Sequence, residues 1–174
     1  MARGTKTTEF LKECMADALI KLIAEKDIGK ISVSEITTLA GVGRATWFRN
    51  FESKSDAVTY KLVQLWKRWA SEHNISESCQ LNFKNAKDFF LFNYDIRTLI
   101  DTIYAVGMQN CIYDAFCFVM ESQYGTSVFK SYQIRFYAYG VFGLLEEWKK
   151  RNFKESPDEM VDLFFKIIDD HSDM

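Results

Sequence analysis

Between Thr8 and Lys26 apolar side chains fall at Leu11, Met15, Ala18, Leu19, Leu22 and Ile23. Steps of three and four place them on one stripe, so the pattern predicts an amphipathic helix. Asp27-Ile28-Gly29-Lys30 ends it, with Gly29 available for a positive φ. Ser32-Val33-Ser34-Glu35 has the spacing of a capping box, in which the Ser32 hydroxyl accepts from the Glu35 amide while Glu35 reaches back. A short helix from Val33 to Ala40 follows, with Val33, Ile36 and Leu39 or Ala40 inward. Gly41-Val42-Gly43 reads as a tight turn, and Arg44 to Phe51 as a second short helix with Trp47, Phe48 and Phe51 toward the core. Ser53-Lys54-Ser55-Asp56 is another N-terminal cap. It opens a long helix to about Ser71 or Asn74, roughly 30 Å at the usual rise per residue.

The stretch from Asn74 to Asn82 is polar and reads as a loop. Helical patterns return over Asn85 to Phe92, Asp95 to Met108 and Gln109 to Tyr124, until Gly125-Thr126-Ser127 breaks them. Val128 to Arg151 is the longest of the later helices. Ser156-Pro157-Asp158-Glu159 then starts a last one, to about Asp170, with Ser at the cap and Pro at the first helical position. The expected fold is all-α, with about nine helices. A three-helix head, residues 1–52, is joined by a long helix to a C-terminal helical bundle within residues 53–174.

Composition supports long helices, since the chain has one proline and eight glycines in 174 residues. Its 48% hydrophobic and 26% charged residues fit a folded globular protein and exclude a disordered one. No run approaches the roughly 18 apolar residues of a membrane span, and the N-terminus lacks the apolar core of a signal peptide. A cytoplasmic location with no membrane partner is the expectation. The four cysteines form no C-x-x-C pair and there are only two histidines, so no metal and no cofactor are expected. Charge is uneven: residues 1–75 carry 12 basic and 9 acidic side chains, residues 76–174 carry 10 and 15. A mildly basic head on an acidic body is compatible with a head that binds nucleic acid.

Two short helices joined by Ala40-Gly41-Val42-Gly43 form a helix-turn-helix, the glycine serving the sharp turn between steeply crossed helices. Such pairs also occur in bundles that bind no DNA, which leaves a helical ligand-binding protein or an enzyme as the alternative. No Gly-rich phosphate loop, nucleophile elbow or paired-carboxylate motif accompanies that alternative. The residues themselves point further. The segment ISVSEITTLAGVGRATWFRNFESK, Ile31 to Lys54, resembles the DNA-binding head of the TetR family of bacterial regulators. The run YAYGVFGLLEEW, Tyr137 to Trp148, with Asn152-Phe153-Lys154-Glu155-Ser156-Pro157, is similar to one branch of that family. The branch includes regulators of dihydroxyacetone kinase operons, some of them activators that work with a protein co-regulator.

The resemblance implies a one-component transcriptional regulator, not an enzyme, that binds a palindromic operator on double-stranded DNA as a homodimer. Its DNA affinity would be controlled by a small-molecule effector or a protein co-regulator, with repression as the default and activation as the variant. Arg44 opens the second short helix and is the expected base reader, because Arg pairs bidentately with guanine. Ser34, Ala45 and Arg49 lie near it, and Ala45 suits a thymine methyl or close approach. Ser32, Thr46, Asn50 and Lys54 match the family's phosphate-holding positions. Phe48 departs from the pattern: the family commonly has tyrosine there, whose hydroxyl reaches a phosphate, so one contact is expected to be missing. The broad apolar faces of the last two helices imply a two-fold, four-helix interface that includes Phe142, Gly143, Leu145, Phe164 and Ile168. An effector pocket is expected among Trp66, Trp69, Asn93, Tyr104 and Tyr113, where aromatic walls carry scattered polar groups.

Overall fold

The computed structural model describes residues 2–75, 86–124 and 127–170. Most of the expected loop from Asn74 to Asn82 lies outside these residues, as do Gly125 and Thr126 of the expected break. Among the described residues the regular structure is helical: α1 (Ala2–Glu25), α2 (Val33–Leu39), α3 (Arg44–Asn50), α4 (Lys54–Glu72), α5 (Ala86–Asp95), α6 (Arg97–Ala105), α7 (Asn110–Tyr124), α8 (Val128–Lys150) and α9 (Pro157–Asp170). None of these helices is long and apolar enough to cross a membrane.

The helix starts follow the side-chain chemistry. Ser32 caps α2 in a reciprocal box, Glu35 N donating to Ser32 Oγ at 3.2 Å and Ser32 N to Glu35 Oε2 at 2.8 Å. Asp56 N donates to Ser53 Oγ at 3.0 Å ahead of α4, and Ser156 and Glu159 repeat the reciprocal arrangement at α9. The end of α1 differs from expectation. Gly29 does not take a positive φ; Ile28–Lys30 forms one 3-10 turn, with Gly29 N donating to Asp27 Oδ1 at 2.7 Å. The Asp27 carboxylate caps the start of this 3-10 turn, which carries the chain on from α1 without a left-handed residue. Gly41 does need its glycine: its φ is +68° in the turn between α2 and α3.

The chain packs as two compact units, residues 1–65 with 102–115 and residues 66–101 with 116–174. The first half of α4 buries Ala57, Val58, Leu62 and Val63, which belong to the same unit as the head. In that unit the core is built from Met15, Leu19 and Ile23 of α1, Ile36 of α2, Trp47 of α3 and Phe51 beyond it. Trp47 and Phe51 stand four apart, so both rings fall on one side, with centroids 5.2 Å apart.

In the other unit Trp148 is the centre. Its ring lies 5.8 Å from Phe90, 5.9 Å from Tyr94 and 5.2 Å from Phe153, and its indole Nε1 donates to the Glu155 carbonyl at 3.0 Å. The chain leaves α8 through Asn152 and Phe153, both left-handed at φ of 56° and 52°. A bulky residue in that region is strained. Burial of the Phe153 ring and its amide's bond to the Trp148 carbonyl, 2.9 Å, hold it. Lys87 of α5 pairs with Asp158 of α9 at 2.7 Å, and Lys149 of α8 with Asp101 of α6 at 3.3 Å.

Candidate nucleic-acid interface

Helix α3 is short, and its two sides are chemically distinct. Trp47 is 2% exposed and fixes the inner side against the head's core. Arg44, Ala45, Phe48 and Arg49 are all exposed. Phe48 does not join the core with Trp47 and Phe51 as the sequence pattern suggests; it is 64% exposed. The reason is angular: Phe48 is one residue on from Trp47, about 100° round the helix, which turns it away from the buried side. Arg44 is the first helical residue, after the N-cap Gly43. Arg49 Nε donates to the Ala45 carbonyl at 3.2 Å, which lays its side chain along the helix while its terminal nitrogens keep their donors.

The expected phosphate-holding residues sit around this face, each with part of its hydrogen-bonding capacity used inside the protein. Asn50 Nδ2 donates to the Thr46 carbonyl at 2.6 Å, which leaves one amide proton. Lys54 Nζ donates to the Ile28 carbonyl at 2.7 Å, which ties the start of α4 to the 3-10 turn and leaves two protons. Thr46 is half-buried and Ser34 is exposed on α2. Ser32 is more fully engaged: its hydroxyl donates to Glu35 Oε2 at 2.9 Å and accepts from the Glu35 amide. A hydroxyl has one proton, so in this arrangement Ser32 acts as a cap and offers a phosphate no donor.

Glu35 is itself anchored. Lys26 donates to its Oε1, and the Ser32 amide and hydroxyl donate to its other oxygen. The Lys26 bond first, then the Ser32 bonds, lower its carboxyl from the ordinary 4.5 to about 2. The group therefore stays ionised in any physiological solution. Beside it an open cleft of about 490 Å³ runs between α1 and α2, lined by Lys21, Leu22, Glu25, Ser34, Glu35, Thr38 and Leu39.

Contacts between α1 and α4 were not legible in the sequence, because the partners stand more than forty residues apart. Lys61, almost fully buried, pairs with Asp17 at 2.5 Å, and Glu13 lies 3.9 Å away. Tyr60 donates its hydroxyl to Glu9 Oε2 at 2.9 Å, and the Lys12 ammonium sits 4.4 Å from the Tyr60 ring centroid. These bonds fasten the first half of α4 to the helix that backs α3.

The expected pocket residues are shared between the two units. Trp66 and Trp69 stack at 5.8 Å, both meet the Phe92 ring, and Trp69 Nε1 donates to Asp95 Oδ2 at 2.9 Å. Asn93, in the same unit, is 1% exposed; its Nδ2 donates to the Phe89 carbonyl while its Oδ1 finds no donor among the described residues. Tyr104 and Tyr113 belong to the other unit.

The expected interface residues divide as well. Phe142 and Leu145 are covered by their own chain, on the same arc of α8 as Ile134, Ala138, Val141 and Trp148. Phe164 and Ile168 are half-buried, and Gly143 is exposed. The opposite arc of α8 carries Phe129, Tyr132, Phe136 and Tyr139, all 63–77% exposed. At Gly140 and Gly143 a side chain would meet nothing within 4 Å.

Residues 73–170, more than half of the chain, match the family model of a TetR-type transcriptional regulator C-terminal region. No curated protein matches in sequence. Among solved structures the chain is similar to a Clostridium perfringens protein described as a fatty acid metabolism regulator. The two share 16% identity over 87% of this chain and 94% of that one, with a TM-score of 0.46.

Proposed function

The chain belongs to the TetR family of transcriptional regulators, and from that premise we propose that it is an operator-binding homodimer whose DNA affinity is set through its C-terminal half. The exposed face of α3 carries the reading: two arginines, a small residue and an aromatic ring stand outward on a helix whose inner side is locked by Trp47. Arg44 reads a guanine edge, with Ala45, Arg49 and Ser34 beside it. Thr46, Asn50 and Lys54 hold phosphates with the protons that their internal bonds leave free.

The second copy docks on α8 and α9. Phe129, Tyr132, Phe136, Tyr139, Gly140 and Gly143 fall on one arc of about 100° along α8, and α9 leaves Leu163 and Ile167 exposed. A bare aromatic side chain offers on the order of 200 Å². At the observed exposures these residues leave roughly 600–700 Å² uncovered per protomer, against about 800 Å² per partner in a standard interface. The two open glycines allow close approach of the partner helix. Such a dimer presents two α3 helices to successive major grooves, about 34–36 Å apart, on a near-palindromic site.

Control comes from an effector or a protein co-regulator at the aromatic C-terminal half, of which Trp66, Trp69, Asn93, Tyr104 and Tyr113 are the candidate contacts. A change there is passed along α4 to its fastenings on α1, Lys61–Asp17 and Tyr60–Glu9. A coupling of about 1–3 kcal/mol suffices for a useful switch. The protein acts in the cytoplasm as a regulator rather than an enzyme, as a repressor that blocks polymerase; an activator with a co-regulator would use the same DNA face. A gel shift with DNA upstream of the protein's own gene tests the reading. A shift that competitor of unrelated sequence fails to abolish supports it, and equal competition by any duplex refutes it.

A further inference from the structure

We propose that Phe48 is a base-reading residue that packs its ring on a thymine methyl, next to the base pair read by Arg44. The inference rests on the DNA-binding reading of α3 given above. At about 100° per residue, Arg44 and Phe48 lie about 40° apart, Ala45 stands about 60° beyond Phe48, and Arg49 follows. Phe48 therefore occupies the middle of the outward arc, between the expected guanine reader and the small residue that allows close approach. Its neighbour Trp47 is buried, so the helix cannot roll to hide the ring without exposing the larger indole.

A ring 64% exposed at this place meets either the DNA backbone or a base edge. A phosphate oxygen gains nothing from it: the ring has no donor, and covering a charged oxygen without a hydrogen bond is unfavourable. In the major groove the thymine C5-methyl is the apolar group that bases present, and Phe is one of the side chains that meets it. The missing tyrosine hydroxyl thus exchanges a sequence-blind phosphate contact for a sequence-bearing one. With Arg44 one turn before it, the ring selects an A·T pair next to a G·C pair, with thymine on the strand facing α3.

The test uses the full chain and duplexes selected by it from a random-sequence library. Thymidines of the selected site are replaced one at a time by deoxyuridine, which removes only the methyl. The wild type should lose about fourfold in affinity at one thymine per half-site, and about fifteenfold when both half-sites are changed, the effect of withdrawing one methyl contact each time. Phe48→Ala should bind the thymine duplex more weakly by a similar factor and bind thymine and uracil duplexes alike. Phe48→Leu should keep part of the preference. Because the ring is exposed, Phe48→Ala should melt with the wild type, which separates lost reading from lost folding. Indifference of the wild type to every methyl, or an unchanged thymine-to-uracil ratio in Phe48→Ala, overturns the proposal. So does a Phe48→Tyr variant that tightens both duplexes alike while the wild type ignores the methyl, since the ring would then lie at the backbone. If no sequence is enriched from the library, the DNA-binding reading itself fails, and that outcome is distinct from the others.

Discussion

Replacing Phe136 with arginine separates association from folding, because the ring is 77% exposed in a single chain. Burying a whole Phe side chain is worth about 1.5–3 kcal/mol. Three quarters of that, felt on both sides of a two-fold axis, gives about 2–5 kcal/mol, and an arginine in the dry patch adds a desolvation cost. Phe136→Arg should therefore raise the dimer dissociation constant at least about fiftyfold, with little change in melting temperature. Sedimentation velocity over a concentration series reads the first quantity, and circular dichroism the second. Leu145→Ala is the opposite control: Leu145 is fully buried, so its truncation should cost about 2–5 kcal/mol of folding stability. A wild type that sediments as a monomer at micromolar concentration refutes the interface argument. So does a Phe136→Arg variant that dimerises like the wild type, because the arc carrying the most bare apolar surface would then face solvent.

Lys54→Ala should weaken binding to all duplexes by a similar factor and reduce the slope of log K against log salt by about one; a sequence-dependent loss would contradict its role at a phosphate. Glu35 gives a pH signature. Its carboxyl is held at about 2 against an ordinary 4.5, so the ionised form is stabilised by folding. That contribution is complete above about pH 5 and is lost as pH falls from the ordinary value toward the depressed one. Glu35→Gln should therefore show a shallower acid-side loss of head stability than the wild type in thermal melts between those limits; parallel curves would contradict the Lys26 and Ser32 assignment.

Much of the fold is legible because its signals are local. Ser32 with Glu35, Ser53 with Asp56 and Ser156 with Glu159 each announce a helix start within four residues, and each forms the expected bond. The Gly41 turn is equally local, since a positive φ there selects the residue. What was not legible depends on distance in the chain or on the far side of a helix. The run from Phe136 to Leu145 is apolar nearly throughout, so sequence alone could not tell its core arc, with Phe142 and Leu145, from its exposed arc, with Phe136 and Tyr139. The position of Phe48 is hidden for the same reason: beside Trp47 and before Phe51 it reads as core, and only helix geometry turns it outward. The fastenings at Lys61 and Tyr60 require knowledge of which helices meet.

The central claim is that Arg44, at the head of α3, reads DNA sequence. Fluorescence anisotropy of the wild type and Arg44→Ala, each titrated with a selected duplex and with a scrambled one across a salt series, tests it most directly. The wild type should prefer the selected duplex by at least about a thousandfold. Arg44→Ala should give up about 1–3 kcal/mol of that preference while binding the scrambled duplex nearly as before. Equal binding of the selected duplex by the two proteins at every salt concentration would contradict base reading by Arg44.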